Sequence, residues 1–336
     1  MTTMTTAAVL LAFALGASAI DLPGGPPVGT DYLAFDAATG RVWVPAGNTG
    51  NVDVVDVATG KLTPLGGFAT RPSPRPGRPN MGPSSVTVAD DLVWVGNRGD
   101  DSLCAFDRHT LKKGACVKLP TMPDGLAYVA PTHELWSTTP RDRSITIVDV
   151  RGKTPKLAGT IKIDGEPEGY AVDAAHGRFY TNLEDKDRTL AIDVQTRKVV
   201  ADWPTTCGGD GPRGLALDGA RHLLFVACTD GAVALDLAAG HEGKAVGRLK
   251  TGGGVDNIDY HPGRRLLYVA SPKEGKLVIA RVADGGALGA LADAPTAKGA
   301  RNPVVDGAGV AYVPSATTGQ LLVVTPPAAP PANPPR

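Results

Sequence analysis

One short pattern recurs seven times along this chain of 336 residues. Each copy has an apolar strand that often ends in Asp, a turn, and a second strand that starts on an aromatic residue. These second strands read WVPA at 43–46, WVGN at 94–97, WSTT at 136–139, FYTN at 179–182, FVAC at 225–228, YVAS at 268–271 and YVPS at 312–315. They lie just over 40 residues apart, except across a longer first interval. A regular repeat of this length predicts a repeat architecture.

Two further strands complete each copy. The third strand alternates, as in NVDVVDV and SITIVDV, and a more polar fourth strand follows, as in TIKI and KVVADW. Four antiparallel strands in every repeat are the signature of a propeller blade. Abundant glycine and proline, 42 and 29 residues, agree with many short strands joined by turns. The sequence therefore predicts an all-β fold, a seven-bladed β-propeller with four antiparallel strands in each blade.

The last repeat ends after its third strand, QLLVVTP, and needs a partner from elsewhere. The segment IDLPGG at 20–25 is a candidate, because a fourth strand from the N-terminus would close the ring and leave no open sheet edge. We therefore expect one propeller domain over residues 20–326, with its last blade closed by the N-terminal strand. The segment PPAAPPANPPR cannot pair in a sheet, which predicts a proline-rich disordered tail at 327–336.

The first 19 residues have the layout of a signal peptide. An apolar stretch from about Ala7 to Leu15 precedes the small residues Ala17 and Ala19, which predicts cleavage after Ala19. The stretch is too short to span a bilayer as a helix. We expect an exported protein without a membrane span, in the periplasm or the extracellular medium.

Four cysteines in an exported chain suggest two disulfides, with three possible connectivities. Cys104 and Cys116 lie on strands of one predicted hairpin, and Cys207 and Cys228 flank another, which favours the pairs 104–116 and 207–228. Free buried thiols are the alternative. No CxxC spacing occurs, which disfavours catalytic sulfur.

The quartet FYTN, together with strands and turns such as VVDVATGK, resembles the YVTN or YncE-like propeller family. The resemblance covers nearly the whole chain after the signal peptide. It implies the propeller fold but no particular function, since such propellers have diverse roles.

The first strand of each propeller blade lines the central channel, so equivalent positions near its start meet at one mouth. Several of these positions share a Pro-x-Gly or Pro-x-Ser frame (PSS, PDG, PEG, PRG). The predicted ring is Asp31, Ser84, Asp124, Glu168, Arg213, Asp256 and Arg301, with Asn257 and Asn302 beside it.

Three interpretations of this ring stay open. The arginines can neutralise the acids in a network that holds the blades together. Alternatively, Asp31, Asp124 and Glu168 can bind Ca²⁺ or another divalent cation through oxygen ligands. In the third, Arg213 and Arg301 grip an anionic ligand.

The longer first interval contains RPSPRPGRPNMG at 71–82, with three arginines and no acid. This basic loop is either a lid over the mouth or a solvated polyproline excursion. The histidines fall in turns predicted on the opposite face, which disfavours a His-dependent catalytic or metal site at the mouth. They are His109, His133, His176, His222, His241 and His261.

Lys plus Arg and Asp plus Glu are equal at 34 each, which disfavours binding to nucleic acid. We expect a monomeric scaffold that binds an unidentified small molecule or protein. The alternative is a divalent-metal-dependent lactone hydrolase, because the PDG frame around Asp124 is similar to one in gluconolactonase-like propellers. Seven repeats disfavour a quinone-dependent dehydrogenase, and the Trp-Asp marks of WD40 proteins are missing.

Overall fold

A computed structural model describes residues 16–328 and shows the predicted propeller. Twenty-eight strands form seven antiparallel sheets of four strands each. Within the described range, the helices are four single turns of 3₁₀ helix, at Gly47–Thr49, Ala130–Thr132, Pro140–Asp142 and Gly219–Arg221. None of them approaches the length and apolar character of a membrane-crossing helix. The all-β, seven-bladed prediction is confirmed.

The blades follow one another along the chain. Blade I contains β2 (Ala34–Asp36), β3 (Arg41–Ala46), β4 (Asn51–Asp56) and β5 (Leu62–Leu65). Blade II contains β6 (Pro83–Ala89), β7 (Leu92–Asn97), β8 (Ser102–Asp107) and β9 (Lys113–Lys118). Blade III contains β10 (Leu126–Val129), β11 (Glu134–Thr139), β12 (Ser144–Asp149) and β13 (Lys156–Lys162). Blade IV contains β14 (Pro167–Asp173), β15 (Arg178–Leu183), β16 (Arg188–Asp193) and β17 (Lys198–Pro204).

The remaining blades repeat this order. Blade V contains β18 (Pro212–Asp218), β19 (Leu223–Cys228), β20 (Gly231–Asp236) and β21 (Lys244–Lys250). Blade VI contains β22 (Ile258–His261), β23 (Leu266–Ser271), β24 (Lys276–Val282) and β25 (Leu288–Pro295). Blade VII contains β26 (Val304–Val305), β27 (Ala311–Ser315), β28 (Gln320–Val324) and β1 (Ala17–Asp21).

The core lies between neighbouring blades, and the repeated aromatic residues fill it. Trp136 of blade III meets Phe179 of blade IV with ring centroids 5.0 Å apart, and Trp43 of blade I meets Phe106 of blade II at 6.2 Å. The second and third strands are buried on both faces, whereas outer strands such as β9 alternate between exposed and half-buried residues. Face-to-face blade packing therefore explains both the aromatic repeat and the more polar fourth strand.

The N-terminal strand closes the ring as predicted, but its bounds differ from the predicted 20–25. β1 pairs with β28 from Ala17 opposite Val324 to Asp21 opposite Gln320. The strand ends there because Leu22 turns into the core, where its side chain is 4% exposed. Residues 17–19 of the predicted signal peptide thus lie in a strand, while residues 1–15 lie outside the described range. The signal peptide stays a prediction, as does the proline-rich tail, of which residues 329–336 are not described.

Both predicted disulfides are present. Cys104 and Cys116 lie directly opposite each other on β8 and β9. Cys207, in the loop between β17 and β18, bonds to Cys228 at the end of β19. The structure holds no free cysteine among residues 16–328.

Candidate functional site

The glycines of the Pro-x-Gly frames bring neighbouring inner strands into contact around the channel. A Cβ atom on Gly169 would lie 2.3 Å from the carbonyl oxygen of Arg213, and one on Gly214 would lie 2.2 Å from Oδ1 of Asn257. On Gly125 it would lie 2.6 Å from the ring of Tyr170. Because each of these residues lacks a Cβ atom, the next blade packs closer to its backbone than any side chain would allow. The frames make a narrow channel and hold the preceding residue at its mouth.

A cavity of about 550 Å³ opens at this mouth. All seven ring positions predicted from the sequence line it: Asp31, Ser84, Asp124, Glu168, Arg213, Asp256 and Arg301. Asn257 and Asn302 are not among the lining residues. Asn302 instead braces the ring from behind, since its Oδ1 accepts a hydrogen bond from the backbone N–H of Asn257 and its Nδ2 donates to Oδ1 of Asp31 at 3.1 Å.

Arg98 joins this ring although sequence reasoning did not single it out. It follows β7 in the loop to β8, and its guanidinium donates to Oδ2 of Asp31 at 2.8 Å and ion-pairs with Asp124. Arg98 of blade II therefore ties together acids that precede blades I and III. The only sequence signal was the basic residue next to the WVGN quartet, which resembles many other solvated loop arginines.

The two predicted ring arginines are also paired. Arg301 lies 3.0 Å from Oδ2 of Asp256. Arg213 ion-pairs with Glu184, which comes from the loop after β15 and was not a predicted site residue. Inner arginines thus neutralise most of the inner acids, in the manner of a network that holds the blades together.

The predicted metal ligands do not fit a divalent cation in this arrangement. Arg98 occupies the place between Asp31 and Asp124, and a guanidinium there repels a cation. Among residues 16–328, no group of three or more His, Cys, Asp or Glu side chains is close enough to hold a metal ion. We therefore derive no metal chemistry for the ring.

Glu168 is the one acid of the predicted ring that forms no ion pair with an arginine of the described chain. No hydrogen-bond donor from the described residues reaches its half-buried carboxyl group. Burial, assisted by the negative charges of Asp31 and Asp256, raises its pKa to about 7, although Arg98 and Arg213 oppose the rise. Near neutral pH, Glu168 therefore exchanges between a neutral hydrogen-bond donor and a carboxylate.

Two aromatic residues lie close to the ring residues in the chain, since Tyr32 follows Asp31 and Tyr170 comes two residues after Glu168. Tyr32 is 8% exposed, and its ring lies 5.6 Å from that of Tyr170. Burial, together with the negative charge of Glu168, raises the pKa of Tyr32 well above its ordinary value.

The basic loop 71–82 extends over the mouth. Two backbone hydrogen bonds between Arg71 and Met81, of 2.9 and 2.7 Å, close its base, and the Arg71 guanidinium pairs with both oxygens of Asp101. Its tip brings Arg75 and Arg78 to the cavity. The structure thus matches the lid interpretation in position, and the loop's function stays a prediction.

A third exposed arginine completes the rim. Arg141, in the 3₁₀ turn Pro140–Asp142 between β11 and β12, lines the same cavity. Arg75, Arg78 and Arg141 are all exposed, and no carboxylate of the described chain forms an ion pair with any of them. The lining in total has six arginines and six acids, the acids being Asp31, Asp124, Glu166, Glu168, Glu184 and Asp256.

The histidines lie away from this cavity. In the described part of the chain, none is among the lining residues. His176 instead contacts Asp173 at 2.8 Å, after a first strand, and His133 contacts the Tyr128 hydroxyl group at 2.8 Å. A histidine-dependent site at the mouth therefore has no support.

Comparison with known proteins supports the fold and goes no further. No protein-family profile and no curated protein sequence matches the chain. Among solved structures, a chain of the mitotic checkpoint complex is similar, with a TM-score of 0.74, 15% identity and coverage of 96% of each chain. Hydrazine synthase from Kuenenia stuttgartiensis has a TM-score of 0.71 and 13% identity, over 95% of this chain and 99% of its own.

A catalytically inactive virginiamycin B lyase from Staphylococcus aureus is similar to the same degree. Its TM-score is 0.71 and its identity 13%, over 93% of this chain and 99% of its own. Proteins of such different kinds share the propeller and nothing that identifies one function. The resemblance to YncE-like propellers stays a prediction.

Proposed function

We propose that this protein is a ligand-binding propeller that holds the acidic group of a small molecule at the channel mouth. The observation that carries the proposal is the set of rim arginines, Arg75, Arg78 and Arg141, which face the cavity without a carboxylate partner in the described chain. A guanidinium binds carboxylates and phosphates through paired, charge-assisted hydrogen bonds. The inner arginines are already engaged by acids, so the rim supplies the free positive charge.

We further propose that the protein acts outside the cytoplasm, in the periplasm or the medium. Its two disulfides support this location, since such bonds persist in oxidising compartments. The alternative of a metal-dependent lactone hydrolase gains no support from the geometry, because Asp31 and Asp124 share Arg98 instead of facing an open cation position.

Calorimetric titration with two anions, inorganic phosphate and N-acetyl-trialanine, tests the proposal. We expect binding of at least one of them at millimolar concentration, weakened about tenfold or more in Arg75→Gln/Arg78→Gln, the loss typical of a charge-assisted contact. Arg281→Gln is the matched control, since Arg281 is an exposed arginine of β24 outside the cavity. Failure of both anions to bind, or equal binding to all three proteins, would contradict the proposal.

A further inference from the structure

We infer that the mouth selects a dipolar ligand, such as a short peptide with free ends, whose amine points into the ring and whose carboxylate meets the rim. The inference rests on the proposed function and specifies its ligand class. Its basis is that negative charge exceeds positive charge in the inner part of the cavity and the reverse holds at the rim, although the lining as a whole has equal numbers of arginines and acids.

The inner part of the cavity carries the excess of acid. Three arginines line it, Arg98, Arg213 and Arg301, and each already contacts an acid. Five acids surround them: Asp31, Asp124, Glu168, Glu184 and Asp256. The inner region is therefore negative whether or not Glu168 holds its proton.

The rim carries the excess of base. Its exposed arginines, Arg75, Arg78 and Arg141, come from the basic loop and from the turn after β11. The one remaining acid of the lining, Glu166, lies 3.7 Å from the guanidinium of Arg143, which it shares with Asp185 at 3.5 Å, so that its charge is offset only in part. A ligand with a single negative group gains at the rim but is repelled at depth, whereas a dipolar ligand gains at both ends.

Glu168 is suited to meet an ammonium group. Its carboxyl group has no donor from the described chain, and burial, assisted by the negative charges of Asp31 and Asp256, raises its pKa so that it holds a proton. An ammonium group near these acids favours the ionised form of Glu168, so the proton leaves as the amine binds. The exchange replaces a neutral acid by an ion pair inside a partly buried site.

Ser84 offers a second contact at depth. Its side chain is 4% exposed and lines the cavity, and its Oγ finds no hydrogen-bond partner among residues 16–328. A buried hydroxyl group without a partner is costly, and a ligand amide can supply the missing bond. The volume of about 550 Å³ also falls within the range of small-ligand sites.

Four trialanines that differ only at their ends test the inference. They are the free peptide, the N-acetylated acid, the free-amine amide and the doubly blocked form, titrated by calorimetry into the full, oxidised protein. We expect the free peptide to bind about tenfold more tightly than either singly blocked form, and the doubly blocked form to bind most weakly.

Two variants assign the ends of the peptide. Glu168→Gln should weaken the preference for the free amine several-fold, since the other inner acids leave the region only slightly negative, but keep the preference for the free carboxylate. Arg75→Gln/Arg78→Gln should do the reverse, and Arg281→Gln should keep both. Reversal of these assignments would overturn the proposed orientation.

The wild-type series also separates this inference from the function on which it rests. If the acetylated and free-amine acids bind equally, the dipolar inference fails while anion binding stands. If the amide binds as tightly as the acid, or no peptide and no phosphate binds, the proposed function fails too.

Discussion

Asp53 offers a sharp test of how this fold treats a buried charge. It lies in β4, the third strand of blade I, which is covered on both faces, and it is 0% exposed. Neither carboxylate oxygen has a hydrogen-bond partner within residues 16–328. Burial raises the pKa of Asp53 to about 7. The perturbation is Asp53→Asn, which removes the ionisable group and nearly preserves the shape.

The raised pKa fixes the sign of the effect. Below about pH 3, the carboxyl group of Asp53 is protonated in the folded and unfolded states, so it makes no pH-dependent contribution. As pH rises towards 7, the unfolded state loses its proton first and folding stability falls. The two pKa values, 3.8 and about 7, differ by about three pH units, which corresponds to a loss of about 4 kcal/mol that is complete above pH 7. This is a large part of the typical stability of a domain, about 5–15 kcal/mol.

Urea unfolding of the wild type and Asp53→Asn, with disulfides intact, measures this loss. We expect similar free energies of unfolding near pH 4 and a variant more stable by a few kcal/mol near pH 8. Asp56→Asn, from the end of the same strand, is the control with the opposite sign. The side-chain hydrogen bond from Thr59 holds the pKa of Asp56 below its usual value, so that substitution should remove stability at neutral pH. Parallel profiles for the wild type and Asp53→Asn would refute the reasoning.

Three other changes test the blade contacts, a disulfide and the mouth. Gly169→Ala should lower the free energy of unfolding by about 1–3 kcal/mol in urea, because its Cβ meets the backbone of blade V. Gly289→Ala, where a Cβ meets nothing within 4 Å, should be nearly neutral in the same unfolding experiment. Replacing both Cys207 and Cys228 by Ala should lower the free energy of unfolding in urea by about 3 kcal/mol. Equal stability of this variant and the oxidised wild type would contradict a stabilising role for the disulfide. Because the pKa of Glu168 is about 7, binding of free trialanine should strengthen from about pH 5 to pH 7 and weaken again above about pH 8, where its α-amine loses its charge; an affinity that does not change between pH 5 and pH 7 would contradict a role for this group.

Much of the fold was predictable because its signals are local and repeated. An aromatic residue in each second strand, such as Trp136, packs against the following blade, so seven copies indicate seven blades. In blade IV this residue is Tyr180, whereas Phe179, the first letter of the FYTN quartet, packs against blade III. The disulfide Cys104–Cys116 was predictable for the same reason, because its cysteines lie on adjacent strands of one hairpin. The bounds of the closing strand were wrong, since no pattern in 17–25 shows where the chain leaves the sheet for the core.

The candidate site was predictable only in part. The ring positions could be aligned from the Pro-x-Gly and Pro-x-Ser frames, and the structure places them around one cavity. Their partners could not be found in this way, because Arg98 is 67 residues from Asp31 in the chain and its loop has no distinctive pattern. Glu184 is a similar case, reaching Arg213 from a loop of the preceding blade.

The sequence by itself determined the blade number, the strand order and the seven ring positions at the channel mouth, since strand alternation and repeat length are local properties of the chain. Only the tertiary structure decided which charges neutralise each other, which arginines at the rim keep free charge, and that Asp53 is buried without a partner. Those outcomes depend on the distances between side chains from different blades. Closing the ring sets these distances, and no single repeat contains them.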